Sequence, residues 1–525
     1  MRQEEGREGR TREGEPVLQG DPMAVSVVAD PGAPDPAGPA PAGHVPGTPV
    51  AGTAELELRE FHSFEAVGQR FVYLVPSAAI FRLDEAAAAV LDALTGGPRT
   101  LASLAEELAP RLPREAFTEA LQDLLEVRAV GPRGAPPEPM PVELPPGDLP
   151  LSTLVLNVTS KCNLSCGYCY EYGEDRLVDE GTMPRFMDEA TARESVEFML
   201  AQAGDRDTVN LTFFGGETLL NFKLLRTTLE YARRRGTEEG KRVRFSLTTN
   251  GTLLRPEIIE WLVENEVGVT VSIDGPKDVQ DKLRVLNNGA GSYELMAPKV
   301  KALLERHQGH QVAARVTLTR ENLDIHRIFR HLTQEMGFSE VGFAPVTTSS
   351  CRSYALDEPG YDSMLRQFGE LARDWLEHAV RDEPHGFSNI RESVQEIHRG
   401  FSKAYPCGAG LGLMGVATDG NVSLCHRFAG SAEHTLGSVT EGIDRGKQTD
   451  FLEANHIAYK PDCHSCWARP LCSGGCYHEA HTRYGTTTAP NLHYCDWIRS
   501  WTHTCLEIYG ELAERNPAFL KRLEA

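Results

Sequence analysis

The sequence has no run of about 18 apolar residues, so no segment is long enough to cross a bilayer as a helix and no membrane association is expected. It also lacks an apolar stretch behind its charged start, MRQEEGREGRTREGEP, and that start is therefore not a secretory signal. Basic residues are in the minority: 53 Lys and Arg stand against 75 Asp and Glu, a net charge of -22. That acidity argues against nucleic acid as a partner. A chain of this kind is expected in the cytoplasm, where its 12 cysteines would not form a disulfide framework. With 41% hydrophobic and 24% charged residues over 525 positions, real cores are expected and wholesale disorder is excluded. The length suits about three or four domains of roughly 100–200 residues each.

Two Pro-rich stretches punctuate the chain. Residues 1–54 read as a disordered tail, since eleven of the twenty residues from Pro31 to Val50 are Pro or Gly and no hydrophobic period shows. Met23 is an alternative start. Residues 132–150 read as an extended linker. Between them, residues 55–131 carry two strand-like runs, Phe71–Val75 and Ala79–Leu83, then three helical patterns opened by Asp84, Thr100 and Arg114. Strands plus three helices in so short a segment predict a winged-helix-like domain, serving either as a helical cap or as a peptide-docking module. From residue 151 to 350, six strand-like runs alternate with helical ones: Leu151–Val158, Thr208–Phe214, Val243–Thr249, Val267–Ile273, Val312–Leu318 and Glu340–Val346. That alternation predicts an α/β fold with parallel strands and right-handed crossovers. Six repeats rather than eight predict a partial (β/α)6 TIM-like barrel, with function at the carboxyl ends of its strands. Residues 351–400 read as a helical bridge, and residues 401–525 as a Cys-rich domain holding eight of the 12 cysteines.

The first barrel strand runs straight into Cys162-Asn-Leu-Ser-Cys166-Gly-Tyr-Cys169. Three thiolates on one short loop can hold three irons of a [4Fe–4S] cube and leave the fourth open to a chelating ligand. A zinc knuckle is the alternative, but zinc wants four ligands in a closed site, and no fourth lies near in sequence. The segment resembles the radical S-adenosylmethionine (radical SAM) enzymes, whose signature is C-x3-C-x-aromatic-C. Tyr168 holds the aromatic position, which in the family lies against the adenine. Gly215-Gly216-Glu217 looks like the family motif that receives the methionine amino group, with Thr218 where Pro is usual. Asn250 ends the third strand; Ser272 and Asp274 end the fourth, where family members contact the ribose and carboxylate. Asp281 and Arg284 resemble a D-x-x-R stretch of peptide-modifying members, with Gln280 where His is usual. The resemblance covers about residues 151–350 and implies S-adenosyl-L-methionine as cofactor.

Seven further cysteines, Cys407, Cys425, Cys463, Cys466, Cys472, Cys476 and Cys495, follow a spacing that resembles the SPASM domain of radical SAM peptide maturases. Carried over residue by residue, the resemblance implies two auxiliary clusters. Cys407, Cys425 and Cys476 would hold the first, with an open or non-cysteine position; Cys463, Cys466, Cys472 and Cys495 would hold the second. Three [4Fe–4S] clusters follow, with a pair of zinc sites as the alternative. Cys351, just past the sixth strand, is a free thiol, a substrate contact or the missing ligand; Cys505 is a packing residue in a C-terminal helix. His426 stands where sulfatase maturases of this group carry an Asp base, so it is a candidate base or a donor to cluster sulfur.

Together these features imply a maturase that cross-links a ribosomally made peptide or small protein subunit, with a thioether favoured over a carbon–carbon or carbon–oxygen bond. Side-chain oxidation of the sulfatase-maturase kind is a second possibility, and a non-catalytic leader-binding scaffold a third. The N-terminal domain resembles a PqqD-like element that would take the precursor peptide by strand addition. An electron donor such as flavodoxin or ferredoxin is implied.

Overall fold

The computed structural model describes residues 54–136, 149–178, 181–308 and 312–523. The expected tail, save Ala54, and most of the Pro-rich linker lie outside these residues. The chain divides into two compact units. Its first strands are β1 (Glu55–Leu58), β2 (Phe61–Ala66), β3 (Gln69–Leu74), β4 (Ile80–Leu83), β5 (Arg99–Thr100) and β6 (Val130–Pro132).

The smaller unit takes residues 54–59 and 81–135 of those described. Its three helices start where side-chain caps or proline dictate. Asp84 accepts from the Ala87 N–H at 2.7 Å to open Glu85–Leu94. Thr100 accepts from the Ser103 N–H at 3.2 Å to open Leu101–Leu108. Arg114–Glu126 follows Pro113. Each cap satisfies a backbone donor that the helix itself leaves orphaned. β1 lies between β5 and β6, antiparallel to both. Leu56, Val90, Leu94, Leu104, Leu121 and Leu124 are buried here.

The larger unit begins with residues 60–80 and resumes at 136. Its first element is the β2–β3 hairpin, paired from Phe61 opposite Leu74 to Ala66 opposite Gln69. Val67 and Gly68 make the two-residue turn, with φ of 47° and 71°, the doubly left-handed form that suits the twist of a hairpin. The hairpin packs on the 24-residue helix Leu492–Arg515. Gly510 permits that approach: a Cβ there would lie 3.0 Å from the Ala66 Cβ and 3.2 Å from the Phe64 ring.

The central sheet is built from β7 (Thr153–Asn157), β8 (Thr208–Phe214), β9 (Arg242–Thr249), β10 (Gly268–Ser272), β11 (Val312–Leu318) and β12 (Glu340–Pro345). These six strands are parallel and lie in chain order, with helices in every connection. The row stays open, because β12 pairs only with β11. The other edge, β7, is covered by β13 (Leu413–Val416), which runs parallel to it. The sheet then continues antiparallel through β14 (Asn421–Ser423), β15 (Thr435–Ser438) and β16 (Gly442–Ile443). The Cys-rich region is therefore continuous with the sheet. β7 has Leu154–Asn157 buried, and an edge buried in this way needs partners for its backbone groups on both sides. Helices Glu358–Val380 and Ser388–His398 both pack on Leu492–Arg515. No helix of the described residues is long and apolar enough to cross a membrane.

Candidate functional site

β7 delivers the first cysteine loop at its carboxyl end. The loop is held by the chain around it: the Ser165 N–H donates to the Val285 carbonyl at 2.8 Å, and the Cys169 N–H to the Cys166 carbonyl at 3.1 Å. The Leu164 N–H points at the Cys162 sulfur, 3.4 Å away. Burial pushes the Cys162 and Cys169 thiols up to about 12 and raises Cys166, and each of the three is affected by its neighbours. Three crowded, buried thiols are poor thiolates on their own; a bound cation would replace their protons.

The other candidates gather around this loop. Gly215 has φ of 133°, and Gly216 passes so close to the Lys161 carbonyl and the Tyr172 hydroxyl that no Cβ would fit. The Glu217 carboxylate is buried and turned inward. It accepts from the Thr249 hydroxyl at 2.6 Å, the Leu219 N–H at 3.1 Å and the Asn250 N–H at 2.8 Å. An amino group at this motif would therefore meet backbone carbonyls before it met this carboxylate. The Asn250 amide donates to the Asn163 side chain at 2.9 Å and faces the Cys162 sulfur at 3.8 Å. Asp274 is fully buried and engaged: the Tyr168 hydroxyl, the Arg284 guanidinium at 3.0 Å and the Thr317 N–H at 3.1 Å all donate to it. Ser272 lies half-buried at the end of β10. Gln280, at the position where His is usual, accepts from the Asp274 N–H at 2.8 Å and donates to Ser292 at 3.1 Å. Asp281 accepts from the Tyr293 N–H and pairs with Lys277. Neither therefore stands free to meet a ligand.

The later cysteines fall into two groups. The Cys425 thiol is acted on by Cys476 and Cys407, and Cys407 by Cys476. Cys463, Cys466, Cys472 and Cys495 act on one another in the same way, and all four line one pocket, which Cys476 of the first group also borders. Cys351 belongs to neither group: it is exposed, with its sulfur 3.3 Å from the Ser349 hydroxyl. Cys505 is buried in the long C-terminal helix. The buried Lys460 side chain sits between the groups, with no hydrogen-bond partner for its ammonium. A buried cation acted on by four cysteines, two from each group, suits neighbours that carry negative charge, so the donor set fits iron–sulfur groups.

β13 and β14 bring His426 back to the carboxyl ends of β7 and β8. Its ring lies 4.5 Å from that of Phe214, its carbonyl accepts from the Asn157 amide at 3.3 Å, and its Nδ1 has no partner among the described residues. Burial, reinforced by Arg427, holds it neutral, at about 3. The Arg427 guanidinium lies 4.7 Å from the centre of the Tyr170 ring and donates to Thr347 at 3.0 Å. Glu171 is raised to about 7 by burial. An open cavity of about 450 Å³ is lined by Cys162, Tyr170, Glu171, Tyr172, His426 and Arg427, among others. The first cysteine loop and the helical turn His426–Phe428, directly after Cys425, thus face one space. Sequence reasoning missed Glu171, Arg427 and Lys460. Glu171 and Arg427 each lie two positions from a motif cysteine, which is the signal that could have flagged them; Lys460 carries none.

Residues 156–332 match the Radical SAM superfamily. The match covers about a third of the chain. Its radical SAM relatives extend well past that segment. A cysteine-type anaerobic sulfatase-maturating enzyme of Clostridium novyi is 24% identical over 371 residues, 67% of this chain and 94% of that one. A radical SAM cyclopropyl synthase of Paramaledivibacter caminithermalis is 22% identical over 360 residues, 66% of this chain and 72% of that one. A solved structure, native anSMEcpe with bound AdoMet and Cp18Cys peptide, superimposes with a TM-score of 0.57 at 20% identity, over 71% of this chain and 99% of that one. That likeness shares the fold. The matched segment supports radical SAM enzyme chemistry, with a [4Fe–4S] cluster and S-adenosylmethionine as the cofactors that the family implies.

Proposed function

We propose that this radical SAM enzyme matures a ribosomally made peptide or small protein subunit by a radical-derived cross-link, a thioether in the first place. The observation that carries the reading is the shared cavity, which runs from the Cys162 loop to His426 and Arg427, the residues directly after Cys425. A substrate side chain lying in it would meet the Cys162 loop on one side and the neighbours of Cys425 on the other. That the sulfatase-maturating relative and the peptide-bound structure align over about two thirds of the chain or more supports a polypeptide substrate.

Cys162, Cys166 and Cys169 would hold the first cluster, Cys407, Cys425 and Cys476 a second with an open iron, and Cys463, Cys466, Cys472 and Cys495 a third. When bound, these groups and S-adenosylmethionine supply a 5′-deoxyadenosyl radical that abstracts one hydrogen, an anchoring point for a substrate sulfur, and an acceptor for the remaining electron. The chain supplies the rest. Tyr168, Gly215, Gly216, Asn250, Ser272 and Asp274 shape the cofactor cradle, with Asp274 acting through Tyr168 and Arg284. His426, which lines the cavity, is the candidate base for a substrate thiol, and burial beside Arg427 makes it a weak one until substrate binding changes its surroundings. Arg427 and Tyr170 wall the cavity and keep water from the reacting carbon. The smaller unit would hold the leader of the substrate, and a flavodoxin or ferredoxin would deliver the electron.

Mass spectrometry of the partner peptide, followed by iodoacetamide treatment, tests this. A product two hydrogens lighter whose cysteine resists alkylation is expected. A loss of two hydrogens with the cysteine fully alkylated rejects the thioether and selects a carbon–carbon or carbon–oxygen bond. A cysteine or serine oxidised to an aldehyde, with no cross-link, selects the sulfatase-maturase chemistry of the relatives.

A further inference from the structure

Lys460 is only 1% exposed, an extreme position for the most strongly hydrated of the common side chains. Its ammonium has no hydrogen-bond partner among the described residues. Its nearest aromatic support is the face of Tyr477, with the ring centre 5.2 Å away. An unpaired buried charge is among the costliest features a fold can carry, so something must complete it.

The surroundings say what that is. The groups acting most strongly on the ammonium after burial itself are Cys463, Cys472, Cys407 and Cys476. Two of these belong to each cysteine group. The backbone agrees: the Lys460 carbonyl accepts from the Cys463 N–H at 3.0 Å and the His464 N–H at 3.2 Å, so the residue that carries the ammonium also shapes the loop of one group. On the far side, Gly474 makes room. It has φ of 85°, and a Cβ there would come within 2.9 Å of both the Lys460 Nζ and its Cδ. Gly474 lies between Cys472, of one group, and Cys476, of the other. Other cations also act on these thiols: Arg427 on Cys425 and Cys407, Arg499 on Cys495, and Lys403 on Cys407 and Cys472. Each of these has a partner of its own, Thr347, Asp496 and Glu396 respectively, whereas the Lys460 ammonium has none among the described residues.

We infer that Lys460 is a positioning residue shared by the two auxiliary sites, its ammonium serving as their common counter-ion. This rests on the two-site reading of the seven cysteines given above. Cluster potentials respond to net charge and to hydrogen bonds at sulfur. One cation held between two sites raises both potentials, because each reduced form is the more negative one. It also ties the sites together, since charge added at one weakens the share of the ammonium available to the other. A lysine that merely filled space would shift neither.

The test is a potentiometric titration followed by electron paramagnetic resonance, in full-length protein carrying Cys162→Ala, Cys166→Ala and Cys169→Ala so that only the auxiliary signals remain. Lys460→Met keeps the length and apolar stem; Lys460→Gln keeps an N–H donor without the charge. With iron content unchanged, both auxiliary potentials are expected to shift negative in Lys460→Met, and by a smaller amount in Lys460→Gln. A shift at one site alone, or at neither, overturns the inference. If both neutral variants lose auxiliary iron, Lys460→Arg decides: restored iron supports the shared counter-ion, and iron still missing overturns it. Failure of the two-site reading looks different, because the parent protein with Lys460 intact would then show fewer than two auxiliary signals.

Discussion

Cysteine 166 shows what single residues contribute here. Its thiol is raised by burial and lowered by Arg284, and Arg284 is itself bonded to Asp274 and lies over the Tyr168 ring at 5.4 Å. A thiol, a guanidinium, a carboxylate and a phenol thus form one buried unit at the ends of β7 and β10. Removing any member leaves a buried charge or hydroxyl unmatched, which costs more than the bond itself is worth. The cysteines themselves give the sharpest residue-level expectation. Three cubes on ten cysteines should bring about twelve irons into anaerobically reconstituted protein. Changing Cys162, Cys166 and Cys169 together to Ala should remove about four of them and abolish cleavage of S-adenosylmethionine. Changing Cys351 to Ala should remove none, since that thiol acts on no cysteine of either group. Colorimetric iron and sulfide assays check all three statements, and stoichiometric zinc in place of iron would sink the cluster reading.

At the scale of elements, the β2–β3 hairpin carries a visible local conflict. Val67, a β-branched residue, occupies a left-handed turn position with φ of 47° and is 45% exposed. Left-handed backbone costs an L-residue roughly 1–2 kcal/mol, and Asn followed by Gly is the favoured pair for such a turn. Val67→Asn should therefore raise stability by about 1 kcal/mol without touching the site, read as a higher denaturant midpoint at an unchanged slope. The same hairpin explains part of what was illegible in the sequence. Its first strand, Phe-His-Ser-Phe-Glu-Ala, is polar and follows a charged run, so only the apolar Phe71–Val75 run stood out. The six parallel strands were readable because each is an apolar, β-branched or aromatic run followed by a helical period. β13 to β16 were not, being two to four residues long and threaded with glycine; their order comes from pairing with β7, a tertiary fact. The site divides in the same way. Cysteine spacing is written along the chain, whereas Glu171, Arg427 and Lys460 owe their importance to burial beside groups far away in sequence.

At the scale of the whole molecule, the division of the chain differs from a simple N-terminal module followed by a barrel. The smaller unit is interrupted: residues 60–80 belong with the larger one. Those residues pack on the helix Leu492–Arg515 and touch the second cysteine group. His62 stacks on Trp467, with ring centres 3.5 Å apart, and shares a hydrogen bond of 2.9 Å with His503; Glu60 pairs with the buried Arg469. Trp467 directly follows Cys466, and Arg469 precedes Cys472 by three positions. Two truncations therefore separate peptide docking from structural support. Removing residues 1–59 and 81–135 while joining Ile80 to the chain at 136 keeps the hairpin; removing 1–135 takes it away. The first variant should retain its iron and its uncoupled cleavage of S-adenosylmethionine, yet lose most peptide modification, because the leader is no longer held near the barrel and its effective concentration collapses. The second should in addition lose stability and auxiliary iron, since Arg469 is left as an unpaired buried cation and the Trp467 face is exposed. Iron assays, thermal unfolding and peptide turnover read the three effects independently. Equal modification by the first variant and the intact chain would make the smaller unit a structural cap, and equal iron in both truncations would show that the hairpin supports nothing in the cysteine region.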